Sequence, residues 1–153
     1  KHMAQSITDS YNAFVGTIIA VLTIVLGEHW YIFAAFLLLN IIDWLTGWMK
    51  SRINGVENST AGWKGVLKKI GYWLMIAVAF AIAAALIEDG EVIGIDLGIT
   101  TLLGWFVLAS LIVNEARSIV ENFVEAGYDV PKVLTTGLQV ADEKLNGSDE
   151  KEE

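Results

Sequence analysis

The sequence contains no cysteine and a single proline, Pro131, in 153 residues. Without cysteine it has no disulfide, thiol nucleophile, zinc–thiolate site or iron–sulfur cluster, so redox chemistry says nothing about its compartment. Charge is scarce as well: 18% of residues are charged against 54% hydrophobic, with a mean hydropathy of +0.53. Soluble domains carry about 45–50% apolar residues and about a quarter charged ones, so the chain is too apolar for that class. The same figures exclude intrinsic disorder except at the ends. Basic residues are the scarcer sign, with ten Lys and Arg against 18 Asp and Glu, a formal charge of −8 and a pI near 4.7. That balance excludes nucleic acid as a partner, because phosphate binding needs clustered Lys and Arg. Lys1-His2-Met3 reads as a cloning remnant, and residues 1–10 as an N-terminal tail.

Catalytic constellations are missing too. Outside the remnant, His29 is the only histidine, and with Glu28 it falls short of the three or four ligands a metal site needs. There is no phosphate loop, nucleophile elbow or paired carboxylate within an apolar run. The chain is therefore expected to be no enzyme and to hold no cofactor or metal. Asn58-Ser59-Thr60 has the form of a glycosylation acceptor, but a cytoplasmic loop is not modified.

What the sequence does have is four long apolar runs. Tyr11 to Gly27 has 17 residues and no charge, and Trp30 to Met49 has 20 with Asp43 alone charged. Ile70 to Ile87 and Leu97 to Asn114 have 18 residues each and no charge. A bilayer core of about 30 Å takes about 20 helical residues, with about 17 as the lower limit. A water-soluble bundle needs a charged face on every helix, and these runs lack one. The chain reads as an all-α integral membrane protein with four transmembrane helices, at about 11–27, 30–49, 70–87 and 97–114. The first run, short and rich in Gly and Thr, either spans or lies in the interface. With only Glu28-His29 between them, the first two runs are expected to form an antiparallel hairpin.

The segment between the second and third runs carries Lys50, Arg52, Lys64, Lys68 and Lys69 against Glu57. The one between the third and fourth has Glu88, Asp89, Glu91 and Asp96 and no base. The positive-inside rule places the basic segment in the cytoplasm, and four spans then put both termini there. Trp30, Tyr31, Trp48, Trp63, Tyr72 and Trp73 fall near span ends, where interfacial anchors are expected.

Beyond Asn114 the fourth span is predicted to continue as an amphipathic helix. Ala116, Ile119, Val120, Phe123 and Val124 form its apolar face, and Glu115, Ser118, Glu121, Asn122 and Glu125 the polar one. Gly127 is its expected C-cap. Pro131 opens another helix, with Leu134, Leu138, Ala141 and Leu145 on one side, so that residues 115–145 form amphipathic C-terminal helices. Residues 146–153 are expected to be a disordered charged tail.

Asp43 is the one ionisable group inside a span. A charge centred in a bilayer costs at least ~2.5–3.5 kcal/mol, so such residues face protein or water. Asn40, Asp43, Thr46 and Gly47 make an intramembrane polar stripe, which faces a lumen or another subunit, or ion-pairs with Arg52, Lys68 or Lys69. Small residues at packing intervals are Gly16, Ala20, Thr23 and Gly27 in the first run and Ala77, Ala81 and Ala85 in the third. Gly94 and Gly98 form a GxxxG ahead of the fourth. They serve packing within one chain or self-association between copies, and a homo-oligomer in the lipid bilayer is expected.

The stretch Ile41-Ile42-Asp43-Trp44-Leu45-Thr46-Gly47, followed by Ser59, Gly62-Trp63-Lys64-Gly65 and Lys68-Lys69, resembles the toxin-secretion/phage lysis holin family. Asn114-Glu115, then Ser118-Ile119-Val120-Glu121-Asn122, then Gly127 and Val130-Pro131-Lys132, is similar to that family's segment after the membrane. Together these motifs reach from about Ile41 to Leu138 in the family's order. The resemblance implies a multi-pass protein of the bacterial cytoplasmic membrane, made by a phage or prophage. It implies assembly into pores that release an endolysin or toxin as cargo. Read from residues alone, two alternatives stay open. One is a small ion-conducting or proton-coupled protein using Asp43; the other is an adaptor whose acidic tail docks a soluble partner.

Overall fold

The computed structural model describes residues 2–147, with side chains from residue 5. It contains five α-helices and no strand among the described residues: α1 His2–Leu26, α2 Trp30–Ile53, α3 Ser59–Ile93, α4 Thr101–Glu125 and α5 Lys132–Asn146. A 3₁₀ turn, Gly98–Thr100, leads into α4. The fold is thus all-helical, and four of its helices are long and apolar enough to cross a membrane. By packing, the chain divides into two units, Lys1–Leu37 and Leu38–Glu153.

In the first unit, α1 starts at His2, so most of the stretch read as a tail is helical. Gly27 ends the helix with φ +81°, a conformation that costs a residue with a Cβ, and its N–H donates to the Thr23 carbonyl at 2.9 Å. None of the most apolar window of Gln5–Leu26 is buried. Gly16 and Ala20 lie exposed, and a Cβ on Gly16 would meet nothing within 4 Å.

In the second unit the helices run further than the apolar runs. The basic segment, read as a loop, is helical except around residues 54–58. Lys50 and Arg52 lie in the last turn of α2, and Lys64, Lys68 and Lys69 on α3. The reason is local. Asn58, extended at φ −141°, accepts the Thr60 N–H on its side-chain oxygen at 2.9 Å and caps α3, and no proline follows to stop it. The formal glycosylation acceptor is thus a helix cap. At the other end Glu88, Asp89 and Glu91 also lie on α3, which stops at Gly94 in the left-handed conformation (φ +76°). Gly98 sits in the 3₁₀ turn, its N–H held by Asp96 Oδ1 at 2.9 Å. The GxxxG expected as a packing motif is therefore a helix stop and a turn, not two turns of one helix.

The core lies between α3 and α4, which run antiparallel. Tyr72, Ile76, Ala79 and Ala83 face Gly104, Leu108 and Val113, all buried. Phe80 lies over Gly104 so closely that a Cβ there would stand 2.6 Å from its ring, and it meets Trp105 edge-on at 5.2 Å between centroids. Close approach of backbones is how helices pack without a hydrophobic drive between them. It uses Ala79 and Ala83; the expected packing face, Ala77, Ala81 and Ala85, is turned outward and exposed.

The end of α4 is stopped by Gly127 at φ +90°, and the Tyr128 N–H reaches back to the Phe123 carbonyl at 3.0 Å. Phe123 and Tyr128 pack edge-on beneath this turn at 5.6 Å. After Pro131, α5 folds back along α4, fixed by Arg117–Asp142 at 2.9 Å and Ser110–Asn146 at 3.4 Å. Leu138, Ala141 and Leu145 are its half-buried side, while Leu134 stays exposed. Of the expected charged tail, residues 148–153 lie outside the described residues.

Candidate functional site

Three ionisable groups from three helices meet in the second unit. Lys69 on α3 donates to Asp43 Oδ2 on α2 at 2.6 Å and to Glu115 Oε2 on α4. The Glu115 side chain is 2% exposed, and those of Asp43 and Lys69 about 15% and 14%. Taking such charges from water costs several kcal/mol per ion, so burial requires both partners and hydrogen bonds. The surrounding amides supply them. Asn40 Nδ2 donates to Glu115 Oε2 at 3.1 Å, and its Oδ1 accepts the Trp73 indole N–H at 3.0 Å. Asn122 Nδ2 donates to Asp43 Oδ1 at 3.0 Å and lies 3.2 Å from Thr46 Oγ1. The Thr46 hydroxyl donates in turn to the Asp43 carbonyl at 3.1 Å. Among the described residues no buried side-chain polar atom lacks a partner.

The polar stripe of α2 thus converges on one network: Asn40, Asp43 and Thr46 are in it, and Gly47 lies beside Asn122, whose Nδ2 would be 3.6 Å from a Cβ there. Of the basic residues only Lys69 joins it. Lys50 pairs with Glu125 at 3.0 Å, Arg52 with Glu57 at 3.3 Å, and Lys68 stands 5.6 Å above the Tyr72 ring. The bonds of Lys69 make Asp43 an ion-pair partner within its own chain.

Sequence reasoning missed half of this cluster. Glu115 and Asn122 were expected on the polar face of α4 with Ser118, Glu121 and Glu125, yet both are buried. The signal was their seven-residue interval from Leu108, since Leu108, Glu115 and Asn122 continue one inward stripe. Tyr72 and Trp73, expected as interfacial anchors, are structural instead. Tyr72 is buried with its hydroxyl 2.9 Å from Asn114 Nδ2, and Trp73 holds Asn40.

A polar cavity of about 170 Å³ is lined by the cluster residues Asp43, Lys69 and Glu115 themselves, with Gly65 and Lys68 of α3 and Asn114, Arg117, Ser118 and Glu121 of α4. A wider groove, about 700 Å³, lies between α2 and the start of α3 and is flanked by Trp44, Trp48 and Trp63. Among the described residues no group of three or more His, Asp or Glu side chains is arranged to hold a metal. The cluster instead shares one ammonium between two carboxylates, with the Asn40 and Asn122 amides donating to the same carboxylates, and joins α2, α3 and α4 at one height.

Comparison with known proteins agrees with this architecture. Residues 20–143, containing α2 to α4 and most of α5, match the model of the bacteriophage holin family. A probable holin of Bacillus phage phi105 is 30% identical over 117 residues, covering 76% of this chain and 78% of that protein. An uncharacterised protein of Halalkalibacterium halodurans is 31% identical over 121 residues, 79% of this chain and 85% of the relative. One from Listeria innocua is 31% identical over 111 residues, 72% and 71% of the two chains. No solved structure matches. The match takes in the cluster residues Asn40, Asp43, Lys69, Glu115 and Asn122 as well as the turn at Gly127: this is a membrane protein of the bacteriophage holin family.

Proposed function

We propose that the protein is a phage or prophage holin that assembles with copies of itself in the bacterial cytoplasmic membrane and opens pores through which an endolysin leaves the cell. The observation that carries this reading, beside the family, is how little of its apolar surface the chain covers. Of the most apolar window in each candidate span, 22% is buried in α2, α3 and α4 and none in α1. Such surface needs lipid or other copies, and a chain with no internal reservoir of core can exchange one for the other.

The membrane orientation follows from charge. Lys50, Arg52, Lys64 and Lys68 cluster at one end of the helices and Glu88, Asp89, Glu91 and Asp96 at the other, so the basic end lies in the cytoplasm. With four spans, both termini are cytoplasmic. The small-residue faces Gly16–Ala20 and Ala77–Ala81–Ala85, exposed in the single chain, are then available to a neighbouring copy. Asp43 is bonded to Lys69 and Asn122, which gives the alternative of a lone titrating carrier no support.

The test is induction in bacteria loaded with a potential-sensitive dye and expressing a cytoplasmic endolysin. Delayed, abrupt depolarisation together with lysis is expected. Verified membrane expression without depolarisation overturns pore formation, and depolarisation with the endolysin retained overturns release of whole proteins.

A further inference from the structure

The buried cluster fixes relative heights. Asp43, Lys69 and Glu115 touch, so residues within a turn of each stand at one level of the bundle. At that level the outward surface differs by helix. On α2 it is Ile41, Trp44 and Leu45, and on α3 Leu67 and Ile70, each 46–51% exposed. On α4 it is Asn114 and Arg117, both exposed, with the exposed Glu121 six residues past Glu115 toward the basic end. The apolar side goes beyond the cluster toward the basic end, through Trp48 on α2 and Trp63 on α3. The hydrocarbon boundary on that side therefore lies beyond the cluster, with the two indoles where interfacial rings sit.

The α4 side at the same depth is polar over a long stripe. Ser110, Asn114, Arg117 and Glu121 recur at helical spacing, about 16 Å at 1.5 Å per residue. The polar cavity of about 170 Å³ opens beside this stripe, with Lys68 at its edge. Folded back against α4, α5 adds more polar surface: Asp142 on Arg117, Asn146 on Ser110, and the exposed pair Gln139–Glu143 at 3.0 Å. Facing lipid, the Arg117 guanidinium alone would cost at least ~2.5–3.5 kcal/mol on insertion scales.

We infer that the polar face of α4, Ser110–Asn114–Arg117–Glu121 with α5 laid against it, lines the water-filled lumen of the assembly, while the outer faces of α2 and α3 meet lipid. This rests on the pore reading and deepens it: it names which side of the chain turns inward when copies assemble. Ions and water crossing the cytoplasmic half of the pore pass Arg117, Glu121 and Lys68.

The absence of cysteine makes the test direct. Single variants Glu121→Cys, Asn114→Cys and Leu74→Cys, the last on the exposed apolar face of α3, are reconstituted in planar bilayers. Each is treated with a negatively charged, membrane-impermeant thiosulfonate while conductance is recorded. Among the described residues Glu121 makes no ion pair, and it is exposed, so its variant is expected to fold. The expected result is a change in conductance of twofold or more at positions 114 and 121 and none at 74. As a second readout, Glu121→Lys is expected to shift ion selectivity toward anions. Conductance indifferent to modification at 114 and 121, with native selectivity in Glu121→Lys, overturns the assignment and leaves the pore standing. A parent protein without conductance overturns the pore reading, and the assignment falls with it.

Discussion

Asn122 on α4 donates to the carboxylate of Asp43 on α2 at 3.0 Å, a bond spanning 79 positions of sequence. It completes the coordination of a charge that Lys69 neutralises from the other side. Both residues lie within the family match, and their bond ties α2 to α4. Three helices with little buried apolar surface between them are joined by a charged, hydrogen-bonded centre.

Replacing Lys69 with Met is the most damaging single change expected. It leaves the Asp43 and Glu115 carboxylates buried without a cation, and breaking a buried pair costs about 3–5 kcal/mol. Thermal unfolding in detergent should show a large loss. The triple variant Lys69→Met, Asp43→Asn, Glu115→Gln should recover much of it, since no uncompensated charge remains. A single variant as stable as the parent contradicts the cluster.

Asn40 bonds Glu115 and Trp73 at once. Asn40→Ala is expected to cost about 1–3 kcal/mol, because it removes a donor to the buried Glu115 carboxylate and the acceptor of the Trp73 indole N–H. Trp73→Phe removes only the donor and should cost less. In a double-mutant cycle the two losses should fall short of adding, as neighbours in one network do.

Gly104 has no room for a side chain under Phe80, with the ring 2.6 Å from a built Cβ. Gly104→Ala should destabilise by about 1–3 kcal/mol through overpacking, and Phe80→Leu in the same chain should relieve it. Gly71→Ala, also in a helix but with nothing within 4 Å, should be neutral or stabilising by up to about 1 kcal/mol. Thermal unfolding of the three variants side by side checks the contrast.

Lys50 and Glu125 pair at 3.0 Å, but the Glu125 side chain is 58% exposed. Glu125→Gln should therefore cost less than about 1 kcal/mol, and less still at high salt. An effect as large as that of Lys69→Met would mean that Lys50 is far less solvated than its position indicates.

Much of this molecule was legible in the sequence. The number of long apolar helices follows from run length and the scarcity of charge, because a bilayer fixes both. Gly127 and Pro131 marked the turn into α5, since positive φ and a missing N–H are local demands. The α2 side of the cluster was visible in Asn40, Asp43 and Thr46, polar residues on one face of an apolar helix. The ordered motifs from Ile41 to Leu138 pointed to the family.

What only the tertiary structure decided is where the polar residues of α3 and α4 point. Lys69 reads as a loop residue and Glu115 as solvated when each is taken within its own segment. Both are buried because Lys69 bridges the carboxylates of Glu115 and Asp43, and no local pattern encodes that Lys69 meets a partner 46 positions away. The small residues show the same division. Spacing cannot tell Ala79 and Ala83, which face α4, from Ala77, Ala81 and Ala85, which face out. A helix offers several equivalent small faces, and the neighbour that fills one of them makes the choice.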